Sequence, residues 1–366
     1  MKQAKNHANP SQRNYGIDLL RLVAAFYVVM LHSLFYGGIF QATAPYSYQN
    51  ITCRVLLIIS FCAVNIFGII SGYVGYREPP KKVSYAGYLS LWLTVVFYCV
   101  LYGAIYHFLI PGSVTGGMFA SFFFPVSKDI YWYFSAYTLV YFLSPYLNKI
   151  LCHSSKEELN ALFSLCCAIV MIEYSSESFG MEGGYSAMWL LLLYLIGGIM
   201  KKNNLGSKIP AYAALLMILL IDACLFYFGL KRQEWIVTIF SFNLDIFHSY
   251  ITPFYFTAAI LHVILFSKLK LCTCVQKLIQ FAAPAAFSVY IANTSPLFWH
   301  NFMKNRFAVY ATSSPLGILV RIVAFSLIFV VTVVVFDFLR QQLFRLLGVR
   351  LWPDRLSATF RKDKAV

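Results

Sequence analysis

Apolar runs long enough to cross a bilayer dominate this chain and decide what it can fold into. They fall at about 17–36, 53–74, 86–110, 131–148, 159–174, 187–200, 209–230, 248–267, 279–299 and 316–338. About 20 helical residues cross a hydrocarbon core of roughly 30 Å, so ten transmembrane helices are expected, within a range of about eight to eleven. The fifth and sixth runs are short and set that range. A soluble fold is closed off by composition, because 60% of the 366 residues are hydrophobic and only 12% are charged, too little polar surface to coat a globule of this size. The expected class is an all-α, polytopic integral membrane protein. No small-residue cleavage site follows the first run before the next polar stretch, so it reads as a retained helix rather than a signal peptide.

Orientation follows from the lysines and arginines in alternate loops. The N-terminal segment, REPPKK (77–82), Lys149 and Lys156, KKNNLGSK (201–208), Lys268, Lys270 and Lys277, and the C-terminal tail together hold 21 of them, against 5 in the opposite loops. Both termini are therefore expected in the cytoplasm. The net charge of +15 does not indicate nucleic acid, since the basic residues lie between apolar runs rather than on one face or in one tail. Membrane lipids are the expected partners, and the inner (plasma) membrane the expected location. The nine cysteines have no repeated spacing, and Cys272 and Cys274 lack the second pair a zinc site needs. They read as small buried hydrophobes, and no metal is expected. The chain divides into a cytoplasmic segment 1–16, one transmembrane domain 17–338 and a basic tail 339–366, whose Arg, Leu, Phe and Trp residues suit an anionic inner leaflet.

The first run, GIDLLRLVAAFYVVMLHS (16–33), carries three residues that are costly in lipid. Arg21 and His32 lie within about 20° of the same helix face and about 16 Å apart along the axis. Ala24, Ala25 and Val28 lie between them, small enough to admit a neighbouring helix or an extended ligand. Asp18, three residues before Arg21, can pair with it and offset the burial of both charges. Taken singly, Arg21 reads as a snorkelling side chain and His32 as an interhelical hydrogen-bonder. Aligned on one helix, they favour a functional site.

An Arg, ten intervening residues and a His on the first helix resembles the hallmark of acyltransferase family 3, membrane proteins that move acyl groups from cytosolic acyl-CoA to extracytoplasmic sugars. VNIFGIISGYV (64–74), with Ser71, Gly72 and Tyr73, is similar to the family's Phe-rich second helix. YWYFSAYTLVYFLSPYL (131–147) is similar to its Trp-aromatic helix, and GGYSAMWLLLLYLIGGIMKK (183–202) and AAFSVYIANTSPLF (285–298) to two later segments of the branch that O-acetylates surface polysaccharides. Two departures stand out: Asn293 occupies the place of a later His, and Lys81 and Lys82 are the nearest substitute for an Arg-rich motif before the third helix. Asn can hydrogen-bond a sugar hydroxyl but cannot take a proton.

The resemblance implies transfer of an acyl group, acetyl in the first instance, from acetyl-CoA to a hydroxyl of a cell-envelope polysaccharide or its lipid-linked precursor. His32 would act as base or form a covalent acyl intermediate, and Arg21 would hold a phosphate or carbonyl of the donor. Asp18, Ser71, Trp132 and Asn293 are the expected substrate contacts, and the saccharide acceptor is the expected partner. The competing function is a flippase for a lipid-linked saccharide, for which the proline-bearing stretches LSPYL and FAAPAAF are the candidate helix breaks. Elsewhere, Glu173 and Asp222 read as interfacial carboxylates, Arg54, Arg321 and Asp337 as helix-end anchors, His107 as interfacial, and His262 as buried without a partner at helical spacing.

Overall fold

A computed structural model of the protein describes residues 13–230 and 249–349, which are helical with no β-strand among them. Lys231, Arg232 and most of the residues expected to form the basic tail lie outside the described residues, as does most of the segment 1–16. The first helix, α1 (Tyr15–Phe35), starts where Asn14 accepts the backbone N–H of Ile17, while the Asn14 amide donates to the Ser267 carbonyl. A cap and a tertiary anchor are thus one side chain.

The second apolar run is two helices, α2 (Tyr48–Phe61) and α3 (Ala63–Gly75), joined at Cys62. There follow α4 (Tyr85–Leu109), α5 (Trp132–His153), α6 (Lys156–Ser176), α7 (Ala187–Lys202), α8 (Ala211–Leu230) and α9 (Pro253–Ser267). The ninth run is also interrupted. Helix α10 (Thr273–Ala282) passes through a 3₁₀ turn at Ala283–Ala285, which carries Pro284, into α11 (Ala286–Asn293). The chain closes with α12 (Pro315–Leu346), which runs past residue 339 into the region expected to be tail.

Each of the ten apolar runs is helical, and among the described residues seven helical segments are long and apolar enough to cross a bilayer. Helices α7 and α9 fall short, at 16 and 15 residues, and α5 is diluted by tyrosines and serines. The fifth run is not short: α6 has 21 residues because a capping box between Ser155 and Glu158 starts it earlier than its apolar pattern does. The chain is a membrane protein whose inner and outer helices differ in exposure. Of their most apolar stretches, α2–α3 is 78% buried and α8 only 17%. Leu215, Leu216, Leu219 and Leu220 on α8, and Leu327, Ile328 and Val331 on α12, are exposed, a surface suited to lipid rather than water. At the centre, α1 packs on α2, α3, α9, α11 and α12.

Three expectations for the carboxylates are corrected, two by burial and one by position. Glu173 is fully buried, and its two oxygens accept the backbone N–H groups of Phe179 and Met181 at 2.6 and 2.7 Å, so it ties down the loop after α6. Asp337 is also fully buried rather than an end anchor. It accepts hydrogen bonds from Arg340, Gln341 and the Tyr98 hydroxyl. Asp222 lies mid-way along α8, not at an end. Among the cysteines, Cys53, Cys62, Cys99 and Cys166 are buried as expected, but Cys224, Cys272 and Cys274 are exposed. Arg54 hydrogen-bonds Asn50 at 2.8 Å from the middle of α2, whereas Arg321 lies over the Tyr310 ring near the start of α12.

Helix α3 packs closely against α7, and glycine makes the approach possible. A Cβ on Gly72 would sit 1.8 Å from the Tyr194 carbonyl oxygen, and one on Gly197 would sit 2.0 Å from that of Ile69. Neither backbone can yield to a methyl group without the helices separating. Gly72→Ala and Gly197→Ala are each expected to cost about 1–3 kcal/mol of stability, read as a lower unfolding midpoint in detergent. Gly117→Ala, whose Cβ would meet nothing, serves as the unchanged control.

Candidate active site

Asp18 sets the geometry at the start of α1. Buried itself, it accepts Arg13 Nε at 2.5 Å on one oxygen and Arg21 Nη1 at 2.9 Å on the other. One carboxylate between two guanidiniums removes the cost of an isolated buried charge and fixes where Arg21 points. That bond uses one of five guanidinium N–H donors. The others have no hydrogen-bond partner among the described residues.

At the other end of the same face, His32 Nδ1 meets Asn293 Oδ1 at 2.5 Å. An amide oxygen only accepts, so with the Asn293 amide in this orientation Nδ1 is the donor, and the neutral ring keeps its lone pair on Nε2. Asn293 is fully buried and sits at the C-terminal end of α11, and α11 ends there because Pro296 follows the turn at Thr294 and Ser295. The imidazole also meets Trp299 edge-on, with ring centroids 4.8 Å apart.

A cavity of about 1850 Å³ links the two ends, and both Arg21 and His32 line it. Its wall includes Ser71 and Gly75 from the last turns of α3, and Arg77 just beyond that helix. Around His32 it includes Trp299 and Tyr36, and elsewhere Trp132 and Asn301. In between, the wall is largely aromatic. Tyr133 and Tyr137 are one turn apart on α5 with parallel rings 6.2 Å apart, and Tyr290 of α11 approaches Tyr133 at 5.4 Å. The Gly- and Phe-rich loop 111–129 contributes Gly112, Ser113, Phe122 and Asp129 to the same space.

The expected site residues therefore separate into two groups. Arg21, His32, Ser71 and Trp132 line the cavity. Trp132 stacks near Tyr185 at 4.8 Å, and the Ser71 hydroxyl donates to the Phe67 carbonyl. Asp18 and Asn293 lie behind the wall, each holding one of the lining side chains. Of the small residues between Arg21 and His32, Val28 reaches the cavity while Ala24 and Ala25 are fully buried, so neighbouring helices fill the space that a ligand was expected to share. His262 is buried with Nδ1 on the Ala258 carbonyl at 2.8 Å, and His107 is exposed. Among the described residues no group of three or more His, Cys, Asp or Glu could hold a metal ion.

A family model described as an acyltransferase domain matches residues 14–340. The chain belongs to acyltransferase family 3. No curated relative and no solved structure matches it. The matched range starts at the residue that caps α1 and ends at Arg340, so it contains every residue of the cavity wall. Arg21 and His32 are both on that wall, and the Ser71–Gly72 stretch divides its work: Ser71 faces the cavity while Gly72 serves the helix contact with α7.

Sequence reasoning missed Trp299, Tyr290 and the partnership of His32 with Asn293. The last pair is 261 residues apart, and no local period connects them. Only the departure at Asn293 from the family's usual His marked the position as unusual. In a chain freed of its native cysteines, His32→Cys and Trp132→Cys are expected to react with a small water-soluble thiol reagent. Ala25→Cys should stay unlabelled until the protein is denatured.

Proposed function

We propose that the protein transfers an acetyl group from cytosolic acetyl-CoA to a hydroxyl of an extracytoplasmic polysaccharide or lipid-linked saccharide, in the inner membrane. The observation that carries this reading is the single cavity touching both Arg21 and an imidazole whose Nδ1–H is already committed to Asn293. His32 Nε2 is then the base for the acceptor hydroxyl. Asn293 is the positioning residue that fixes the tautomer, a part played by a carboxylate or amide in other base-orienting arrangements.

Arg21, with donors to spare, and the exposed Arg77 on the same wall suit the phosphates and carbonyls of the donor. The distance of about 16 Å from Arg21 to His32 along α1 suits an extended pantetheine arm, and the aromatic wall between them suits its apolar parts. On the wall of the same cavity, Trp132 and Tyr185 offer ring faces to a sugar. The bias of basic loops supports ten spans with both termini in the cytoplasm, which puts Arg21 toward the acyl-CoA side and His32 toward the acceptor.

Transport without chemistry is the weaker reading. Pro284 does interrupt the helix at the cavity wall, but Pro145 lies within the continuous α5, so the pair of broken helices that a repeat transporter would use is not matched by these two prolines.

The test is transfer of radiolabelled acetyl from acetyl-CoA to a saccharide acceptor by purified protein. His32→Ala is expected to lower kcat by about 10²–10⁴-fold, with the folded protein recovered in normal yield. Arg21→Ala should raise the KM for acetyl-CoA far more than that for the acceptor. Undiminished transfer by His32→Ala would remove the proposal.

A further inference from the structure

An acyl transfer needs a third element besides a base and a donor clamp: a hydrogen-bond donor where negative charge collects on the carbonyl oxygen. Arg21 stands at the far end of the cavity from His32 and cannot supply it there. The surroundings of His32 do contain a candidate. The Trp299 indole Nε1–H is buried and has no acceptor among the described residues. It belongs to a ring 4.8 Å from the imidazole, and both rings line the cavity.

The indole is also held. Tyr36 lies against it with centroids 4.4 Å apart, and His32 meets it edge-on. Those two residues are one turn apart on the same face at the end of α1 and in the turn that follows it. Trp299 opens a short π-helical turn, Trp299–Met303, and such turns recur where a side chain is moved out of helical register for a function. A buried N–H that no protein atom accepts is rare in native structures and asks what else meets it. The other orphan donor beside His32, the Asn293 amide nitrogen, is on a side chain off the cavity wall. Of the two, only Trp299 belongs to a side chain that lines the cavity.

Resting on the transferase reading, we propose that Trp299 is a catalytic residue whose Nε1–H donates to the acyl carbonyl oxygen and holds the oxyanion of the tetrahedral intermediate. The acceptor hydroxyl oxygen attacks the thioester carbon as its proton passes to His32 Nε2. A C–O bond forms, and the carbonyl π pair moves onto the oxygen facing Trp299. Collapse restores the C=O bond and breaks the C–S bond. The departing thiolate takes the proton back from His32, leaving the acyl ester, free CoA and a neutral imidazole.

The experiment replaces the indole N–H while keeping the ring. Trp299→Phe is one variant. A second carries benzothienylalanine at 299, in which sulfur replaces the N–H with almost unchanged shape. Both are compared with wild type for kcat, for the KM of acetyl-CoA and acceptor, and for unfolding midpoint in detergent. Loss of one oxyanion donor predicts a kcat lower by about 10²–10³-fold, with both KM values and the midpoint unchanged. A purely structural indole would instead shift the midpoint or the KM values and leave kcat near wild type in the isosteric variant. Wild-type kcat in either folded variant overturns the assignment of Trp299 alone. Wild-type protein that releases no CoA from acetyl-CoA, with acceptor or with water, sinks the transferase reading itself.

Discussion

A carboxylate withdrawn from water inside an apolar bundle must be met by donors, and the three buried ones among the described residues organise much of what surrounds them. Asp18 is bracketed by two arginines, Glu173 by two backbone N–H groups and Asp337 by Arg340, Gln341 and Tyr98. Each solution joins segments that packing alone would leave free to slide. Asp18 fixes the start of α1 and the direction of Arg21. Glu173 secures the loop that ends at Tyr185, whose ring completes the aromatic group around Trp132 and Tyr250. Asp337 pins α12 to α4.

The same rule explains the division between residues that face the cavity and residues that stand behind it. Arg21 and His32 are presented to the open space, but each owes its orientation to a buried neighbour, Asp18 or Asn293. Asn65 acts similarly on the cavity mouth: it accepts the Trp189 indole N–H and donates to the Tyr250 carbonyl, fixing a ring that lines the wall. Substitution of such supporting residues reaches the chemistry through geometry, as outer partners do in metal and triad sites.

Much of this was legible in the sequence because it depends on short-range pattern. The helices follow from apolar runs, the shared face of Arg21 and His32 from the helical period, and the Asp18–Arg21 pair from a spacing of three. What was not legible depends on which distant segments meet. Glu173 and Asp337 looked like surface anchors because their position near helix ends said nothing of the loop and the helix that bury them. Asn293 was read as a sugar contact, and its amide oxygen lies on His32. The small residues Ala24 and Ala25 allowed either a ligand or a helix to approach, and only the packing of α1 in the bundle decides for the helix. The break at Pro284 was visible as a proline, but not its place on the cavity wall.

The tyrosine-lined wall between Arg21 and His32 has a consequence for what can lodge there. A sodium ion or a proton carrier entering beside Arg21 meets a positive charge first, then a stretch where Tyr133, Tyr137 and Tyr290 offer ring faces and scattered hydroxyls in place of a continuous ring of carbonyl or carboxylate oxygens. Shedding its hydration shell there gains it no coordination, which is the reverse of a selectivity filter. The lining that suits a flexible organic chain therefore offers a bare cation no low-cost place to rest.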